Sequence, residues 1–279
     1  LFPFLSNGCK FVITVHDLTF EIFHKTLPLK EYLYWTSTMR AAVWTANKIV
    51  AISKATKRDL LKLYRVPEAR INVNYYGLDE IFRPINDTAL LEETRRKHCL
   101  PEQFILSVGG YDFRKNILTL LKSFSKLKTN PDVEQKLVIL RVQQTKTMFQ
   151  LLKNLGIEND VITKKWIPQK DLPLIYNLAN ISVYPSLYEG FGLPPLESIA
   201  CGTPVIASNT SSIPEVVGDA GVLVNPYDID EIAQAMSNLL TDEGLYSKLR
   251  DEGLKRAKIF TWEEAAQKTL EVWEMVLNN

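Results

Sequence analysis

The sequence has 279 residues, enough for about two domains of ordinary size. Its 33 Lys and Arg residues nearly balance its 32 Asp and Glu residues, so the net charge of +1 gives no reason to expect a nucleic-acid partner. No run approaches the roughly 20 apolar residues of a membrane span, and the start LFPFLSNGCK lacks the basic region and cleavage site of a signal peptide.

Short apolar runs alternate with helical patterns over the first 77 residues. Strands are predicted at 10–15, 48–52 and 71–75, and helices at 30–46 and from an N-cap at Ser53 to Leu63. Such alternation predicts βαβ units around a parallel sheet. Three strands are half of the roughly six in a Rossmann-type sheet, so this domain is expected to be incomplete.

A stretch of turn formers and a charged helical segment, residues 77–101, is predicted to connect two domains. The alternation then restarts, with strands predicted at 104–108, 137–141, 161–167, 181–184, 204–207 and 221–224. Helices are predicted at 116–126, 146–155 and 170–178, at Pro194, near Asp228 and Glu243, and after Thr261. This second pattern is that of a complete doubly wound domain.

The predicted division of the chain is therefore a partial N-terminal domain with its linker at 1–98, a complete Rossmann-like domain at 99–258, and a C-terminal helix at 259–279. The helix is expected to pack back toward the first domain, with apolar anchors at Trp262, Ala265, Ala266, Leu270, Val272 and Trp273. The first residue is not Met, so Leu1 is not expected to be a natural translation start.

The strongest motif follows the strand that ends at Tyr184 and reads PSLYEGFGLPPLESIACGTPVIAS. Glycines in its loop allow backbone N–H groups to approach a ligand, and proline suits the first turn of the helix that follows. A helix N-terminus offers free N–H donors to an anion such as a diphosphate. Glu189 in the loop and Glu197 in the helix are acceptors suited to sugar or ribose hydroxyls.

Either glutamate alone has a simpler interpretation. Glu197 can be a first-turn carboxylate favoured by the helix dipole, and Glu189 a solvated loop residue. Their combination with two glycines, two prolines and the following ACGTPVIAS segment favours a ligand site.

A second motif, FILSVGGYDFRKN, places Gly109 and Gly110 directly after a strand and Arg114 and Lys115 before a helix. This is not the G-x-G-x-x-G fingerprint of dinucleotide binding. Glycines with two cations beside a helix start can form a phosphate cradle, although a solvated basic loop explains the segment equally well when it is taken alone.

A third motif, VITVHDLTF, puts His16 and Asp17 at the carboxyl end of a strand, where ligands bind in open α/β sheets. A structural His–Asp pair that caps the strand end is at least as well supported by the residues alone. The chain's three cysteines and three histidines are otherwise scattered, without a C-x-x-C pair, so neither a metal nor a redox centre is predicted.

Together these segments resemble family 4 of the retaining glycosyltransferases. The matching patterns are E-G-F-G-L-x-x-x-E followed by A-x-G-x-P-V-I-A, G-x-x-x-x-R-K-N, and a histidine in an H-D-L context. The resemblance extends over nearly the whole chain, including AISKATKRDL, YYGLDEIFRP and SSIPEVVGDAGVLVNPYD. It implies the GT-B fold, in which two Rossmann-like domains face each other across a cleft, with the N-terminal domain incomplete here.

The resemblance also implies a role for each matching residue. Glu189 would face the donor sugar, Glu197 would hold the ribose hydroxyls, and Arg114 and Lys115 would neutralise the leaving diphosphate in place of a metal. Backbone groups would contact the sugar and diphosphate at Gly109, Gly110, Gly190, Phe191, Gly192 and Leu193. His16 would lie near the donor sugar and the reacting centre.

Three departures from the family pattern affect this interpretation. Family members usually carry glycine where this chain has Arg141, and glycine is common where it has Lys164 and Lys165, so the identity of the nucleotide base stays open. The first strands of the acceptor domain, with a glycine-rich loop, have no counterpart here. A complementing N-terminal segment or subunit is therefore among the expected partners.

The predicted function is retaining transfer of a sugar from a nucleoside diphosphate sugar, without metal or cofactor, to a carbohydrate or lipid-linked acceptor in polysaccharide or glycoconjugate synthesis. A cytoplasmic location is predicted, compatible with attachment to the inner face of a membrane. Two alternatives stay open: a nucleotide-sugar-binding fragment or subunit without activity, and a nucleotide-sugar epimerase. The absence of G-x-G-x-x-G argues against a dehydrogenase.

Overall fold

The computed structural model describes residues 9–110 and 112–278. Their contacts divide them into two compact units. Unit 1 holds residues 9–77, 189–191 and 260–278, and unit 2 holds residues 78–110, 112–188 and 192–259. Each unit is built on a wholly parallel sheet with helices, which confirms the predicted α/β class. In the described residues, no helix is both long and apolar enough to cross a membrane.

The sheet of unit 1 has three strands in the order β1-β2-β3. They are β1 (Val12–Val15), β2 (Lys48–Ala51) and β3 (Ile71–Val73). The accompanying helices are α1 (Thr19–Ile22), α2 (Leu29–Thr45), α3 (Lys54–Tyr64) and α12 (Trp262–Leu277). The predicted N-cap is confirmed, because the Ser53 hydroxyl accepts a hydrogen bond from the Thr56 amide at 3.0 Å.

Alternate residues of these strands give unit 1 its core. Val15, Ile49 and Ile71 share one cluster with Val43 of α2 and Leu60 of α3. Side chains of successive strand residues point to opposite faces, so this cluster uses one face of the sheet.

Helix α12 belongs to unit 1 and contacts β1 and β2. Its buried residues are Ala265, Val272 and Val276, and Asn74 Nδ2 donates to the Ala265 carbonyl at 2.8 Å. The prediction that Trp262 and Trp273 anchor this helix is wrong, since about half of each side chain is exposed. Small and β-branched residues let the helix lie close to the sheet, and the tryptophans fall beside that stripe.

The sheet of unit 2 has six parallel strands in the order β6-β5-β4-β7-β8-β9. They are β4 (Phe104–Val108), β5 (Lys136–Leu140), β6 (Val161–Lys164), β7 (Ile181–Tyr184), β8 (Val205–Ser208) and β9 (Val222–Val224). The chain builds outward from β4 to β6 and then returns to pair β7 with β4. Ligands in open α/β sheets bind at such a switch point, outside the carboxyl ends of the strands.

Helices cover this sheet and close its core. They are α4 (Thr88–Lys97), α5 (Ile117–Leu127), α6 (Lys146–Asn154), α7 (Leu172–Leu178), α8 (Leu193–Ala200), α9 (Ile213–Val217), α10 (Ile229–Thr241) and α11 (Glu243–Ala257). The largest core cluster joins Ile105, Phe124 and Ile139 to residues of β7, β8 and α10. Asp228 caps α10, as its predicted start requires.

Contacts change from unit 1 to unit 2 after Gly77, whereas the sequence prediction grouped residues 1–98. Helix α4 lies in unit 2 because it packs on α7. Asp171, at the start of α7, accepts hydrogen bonds through Oδ2 from Lys97 Nζ at 2.6 Å and His98 Nε2 at 2.7 Å. Burial alone would raise the pKa of Asp171, but these two bonds lower it below its ordinary value of 3.8.

Asp171→Asn is expected to lower the free energy of unfolding by about 1–2 kcal/mol at neutral pH, because charge-assisted hydrogen bonds are weakened. Since the folded-state pKa of Asp171 lies below its unfolded value, its contribution is complete above that value and disappears as pH falls through the folded pKa. Urea unfolding should show the difference between variant and parent shrinking below about pH 4. A difference that stays constant through that range would contradict this role.

Candidate functional site

Two loops meet at the carboxyl edge of the unit 2 sheet, where β4 pairs with β7. The loop after β4 carries the predicted basic segment, and the loop after β7 leads into the E-G-F-G segment. The Leu187 amide donates to the Arg114 carbonyl at 2.7 Å, so backbone joins the two loops directly. The structure thus brings together two motifs that are more than seventy residues apart in sequence.

The basic loop is organised by Asp112, which the sequence analysis did not select. One carboxylate oxygen of Asp112 caps the short 3-10 turn at the Arg114 amide, and the other accepts from Arg114 Nε at 2.9 Å and Nη2 at 2.6 Å. Partial burial would raise the pKa of Asp112, but the hydrogen bonds from Arg114 and the charges of Arg114 and Lys115 lower it. The Lys115 stem packs over Gly109, where a Cβ would meet it at 3.2 Å.

Asn116 holds three loops of unit 2 in place. Its backbone is left-handed, with φ of 55°, and its Nδ2 donates to the carbonyls of Pro185 at 3.0 Å and Pro226 at 2.7 Å. The asparagine of the R-K-N segment is therefore a structural node that positions the basic loop against the loops after β7 and β9.

Helix α8 begins at Leu193, one residue before the predicted start. Pro194 and Pro195 have no N–H, so the first turn offers the amide of Leu193, preceded by that of Gly192. Gly192 has φ of 114°, and a Cβ there would lie 2.8 Å from Ile213 Cδ1. Only glycine fits this entry to the helix.

Glu197 lies in the second turn of α8, so its interpretation as a first-turn carboxylate is wrong. The carboxylate is partly buried, and Oε2 accepts a hydrogen bond from the Tyr176 hydroxyl at 2.8 Å. Burial raises the pKa of Glu197, while the Tyr176 bond and the charges of Arg141 and Lys115 act in the opposite direction. A carboxylate held in this way can accept bonds from ligand hydroxyls without first reorganising.

Tyr176 is the main residue that the sequence analysis missed. It is fully buried on α7, its hydroxyl also accepts a bond from the Tyr184 hydroxyl at 3.2 Å, and burial raises the pKa of both tyrosines. In the sequence it is one aromatic residue among the apolar residues of a helix, and nothing there shows that its hydroxyl reaches Glu197.

The third motif lies in unit 1, directly after β1. His16 Nδ1 hydrogen-bonds the Tyr76 hydroxyl, and the His16 carbonyl accepts from Thr56 Oγ1 at 3.4 Å. Asp17 Oδ1 accepts from the Thr19 amide at 2.9 Å and so caps α1. Both interpretations of this segment have support here, since Asp17 has a capping role while the His16 ring is exposed with Nε2 directed to neither of these partners.

Three residues of the E-G-F-G segment, Glu189–Phe191, are grouped with unit 1. A Cβ on Gly190 would lie 2.3 Å from the His16 carbonyl oxygen, so the two backbones are in direct contact. The side chain of Phe191 is buried against Tyr75, Tyr76 and Phe260, with ring centroids 5.5–5.9 Å apart. Predicted sugar-site residues thus lie together with His16.

Comparison with known proteins agrees with these motifs. The profile described as glycosyl transferases group 1 matches residues 92–256, and the profile described as Glycosyltransferase Family 4 matches residues 2–81.

The chain belongs to the glycosyl transferases group 1 family. Among its relatives, O-antigen chain mannosyltransferase B of Escherichia coli is 29% identical over 95% of this chain and 70% of its own length. The serotype-specific mannosyltransferase WbdA of E. coli is 30% identical over 84% of this chain but 29% of its own length. The MMP alpha-(1->4)-mannosyltransferase of Mycolicibacterium hassiacum is 30% identical over 82% of this chain and 54% of its own length.

Solved structures confirm the GT-B fold class. A glycosyltransferase from Rickettsia africae has a TM-score of 0.77 at 24% identity, over 98% of this chain and 72% of that one. Anabaena HepE in complex with UDP-glucose has a TM-score of 0.79 at 16% identity, over 97% and 72% of the two chains.

For this family member, Tyr176→Phe is expected to raise the pKa of Glu197 further, because the hydroxyl that favours the carboxylate is removed. The free energy of unfolding should fall by about 1 kcal/mol. Titration of the Glu197 carboxyl by ¹³C NMR measures the shift, and Tyr184→Phe is the matched control because it leaves the Glu197 bond in place. An unchanged Glu197 pKa in the Tyr176 variant would refute the coupling.

Two glycines of the predicted site provide a second comparison. Gly190→Ala is expected to lower the free energy of unfolding by about 1–3 kcal/mol, because its Cβ collides with the His16 carbonyl. Gly110→Ala should change it by less than about 0.5 kcal/mol, since nothing lies within 4 Å of a Cβ there. Urea unfolding of both variants checks the contrast, and equal losses would show that the close approach of Gly190 is not needed.

Proposed function

We propose that this protein transfers a sugar from a nucleoside diphosphate sugar to an acceptor hydroxyl during polysaccharide or glycoconjugate synthesis, with retention of anomeric configuration. The names of three relatives are those of mannosyltransferases, which makes a mannosyl donor the first to test. Anabaena HepE, a relative in fold, is described in complex with UDP-glucose, which supports a nucleotide-sugar donor.

The observation that carries the proposal is the composition of the switch-point edge in unit 2. Cations at Arg114 and Lys115, backbone amides at Gly192 and Leu193, and the carboxylate of Glu197 lie on adjoining loops. Cations and amides complement a diphosphate, and a carboxylate complements ribose hydroxyls. A nucleoside diphosphate is the common ligand that contains both groups.

The proposed chemistry breaks the bond between the anomeric carbon and the diphosphate oxygen, and forms a bond from that carbon to the acceptor oxygen on the same face. The acceptor proton passes to the departing diphosphate. Arg114 and Lys115 stabilise the charge that develops on the leaving group, a task that many glycosyltransferases give to a metal. His16 and Glu189, both in unit 1, are assigned to the sugar.

Metal independence, a carbohydrate or lipid-linked acceptor and a cytoplasmic location are further parts of this proposal. A sugar-nucleotide-binding protein without activity is the alternative, and donor binding without turnover would distinguish it.

The test is calorimetric titration of the chain with UDP, GDP and ADP in EDTA, followed by a turnover assay with the sugar donor of the nucleotide that binds. Glu197→Ala is expected to weaken binding about 10–100-fold, because a charged acceptor for the ribose is lost. Arg114→Ala should lower turnover about 100-fold and the free energy of unfolding by less than about 1 kcal/mol, since Asp112, with 35% of its side chain exposed, can hydrate.

Glu252→Ala is the matched control, a surface carboxylate on α11 paired with Lys255. It should leave both binding and turnover unchanged. Failure of all three nucleotides to bind would overturn the proposed function, and full activity of the Arg114 variant would remove that residue from the mechanism.

A further inference from the structure

Arg141 has an unusual backbone for an arginine that ends a strand. Its φ is 63°, in the left-handed region that favours glycine, and it directly follows β5. Arg65 shares the conformation at the end of α3, where a left-handed residue is a common helix terminus. Arg141 closes no helix, so its conformation has no such local explanation. Residues held in costly backbone conformations concentrate at functional sites.

The neighbouring strands hold Arg141 on both sides. The amide of Gly109, after β4, donates to the Leu140 carbonyl at 3.3 Å, and the amide of Val142 donates to the Lys164 carbonyl of β6 at 3.1 Å. The residue between these two bonds therefore lies at the carboxyl edge, between the start of the phosphate loop and the end of β6. This is the edge that carries the donor site of the proposed function.

The side chain of Arg141 is exposed and turns toward the end of β6. Its Nη2 donates to Gln169 Oε1 at 3.1 Å, in the turn that follows that strand. Arg114, in contrast, is engaged by Asp112 in the loop after β4. The two guanidinium groups thus serve different loops of the same edge.

Arg141 is also electrostatically coupled to Glu197. Burial and the Tyr176 bond act most strongly on the pKa of Glu197, and the positive charge of Arg141 then lowers it more than that of Lys115 does. Of the cations at this edge, Arg141 is therefore the one most closely associated with the carboxylate that the proposed function assigns to the ribose.

We propose that Arg141 binds the base–ribose half of the nucleoside diphosphate donor, while Arg114 and Lys115 bind its diphosphate. This assignment rests on the proposed function and divides its cations by ligand group. A guanidinium has five N–H donors and no acceptor, so it complements base carbonyls, ring nitrogens and ribose oxygens, and its plane can stack on a base.

The test compares Arg141→Gly with Arg65→Gly, since glycine relieves the same backbone strain at both positions. Affinity is measured by calorimetry for the tightest-binding of UDP, GDP and ADP, for its monophosphate, and for inorganic pyrophosphate. Arg141→Gly is expected to weaken binding of both nucleotides about tenfold or more and of pyrophosphate less than about twofold. Arg65→Gly should leave all three affinities unchanged.

Stability is measured on the same samples. The unfolding temperature of each glycine variant should stay within about 2 °C of the parent, because relief of strain offsets the greater freedom of the unfolded chain. If Arg141→Gly unfolds earlier than this, Arg141→Gln, which keeps the stem but not the charge, takes its place and should show the same selective loss.

Three results would overturn the assignment. Unchanged nucleotide affinity in the Arg141 variants would overturn it while the proposed function stands, and an equal loss for pyrophosphate would make Arg141 a diphosphate residue. Gln169→Ala should keep most of the affinity, so a full loss in that variant would show that Arg141 acts only as a structural link. If no nucleotide binds the parent chain, the proposed function itself fails.

Discussion

The pairing of β7 with β4 is the constraint on which the unit 2 site depends. Because the chain returns to its central strand after building outward, two loops from distant segments leave the sheet side by side. The hydrogen bond from the Leu187 amide to the Arg114 carbonyl joins them. Any ligand at this edge meets the basic loop, the start of α8 and Glu197 together, which is why three separate motifs can serve one donor.

Much of the site is fixed before a ligand arrives. Tyr176 holds the Glu197 carboxylate, Asp112 holds the Arg114 guanidinium, and Asn116 ties three loops through their carbonyls. Groups that are already oriented do not have to give up conformational freedom on binding or during reaction. Stability is given up locally in return, as the left-handed backbones of Asn116 and Arg141 show.

Unit 1 has its own organisation around the end of β1. The His16 ring is held by Tyr76, and its carbonyl lies so close to Gly190 that no side chain fits there. Phe191 is buried among aromatic residues of the same unit. A single short segment, Glu189–Phe191, thus connects a sequence motif to the predicted catalytic histidine by packing rather than by charge.

Local sequence determined the strands, the helix starts at Ser53 and Asp228, and the family, because apolar periodicity and capping bonds span only a few residues. Tertiary structure decided which groups meet. Tyr176 reaches Glu197 across 21 positions, and Asp171 reaches His98 across 73, so no local pattern could show either pair. The tryptophans of α12 were misjudged for the same reason: apolar character is written in the sequence, but the face that a helix buries is set by the shape of the sheet that receives it.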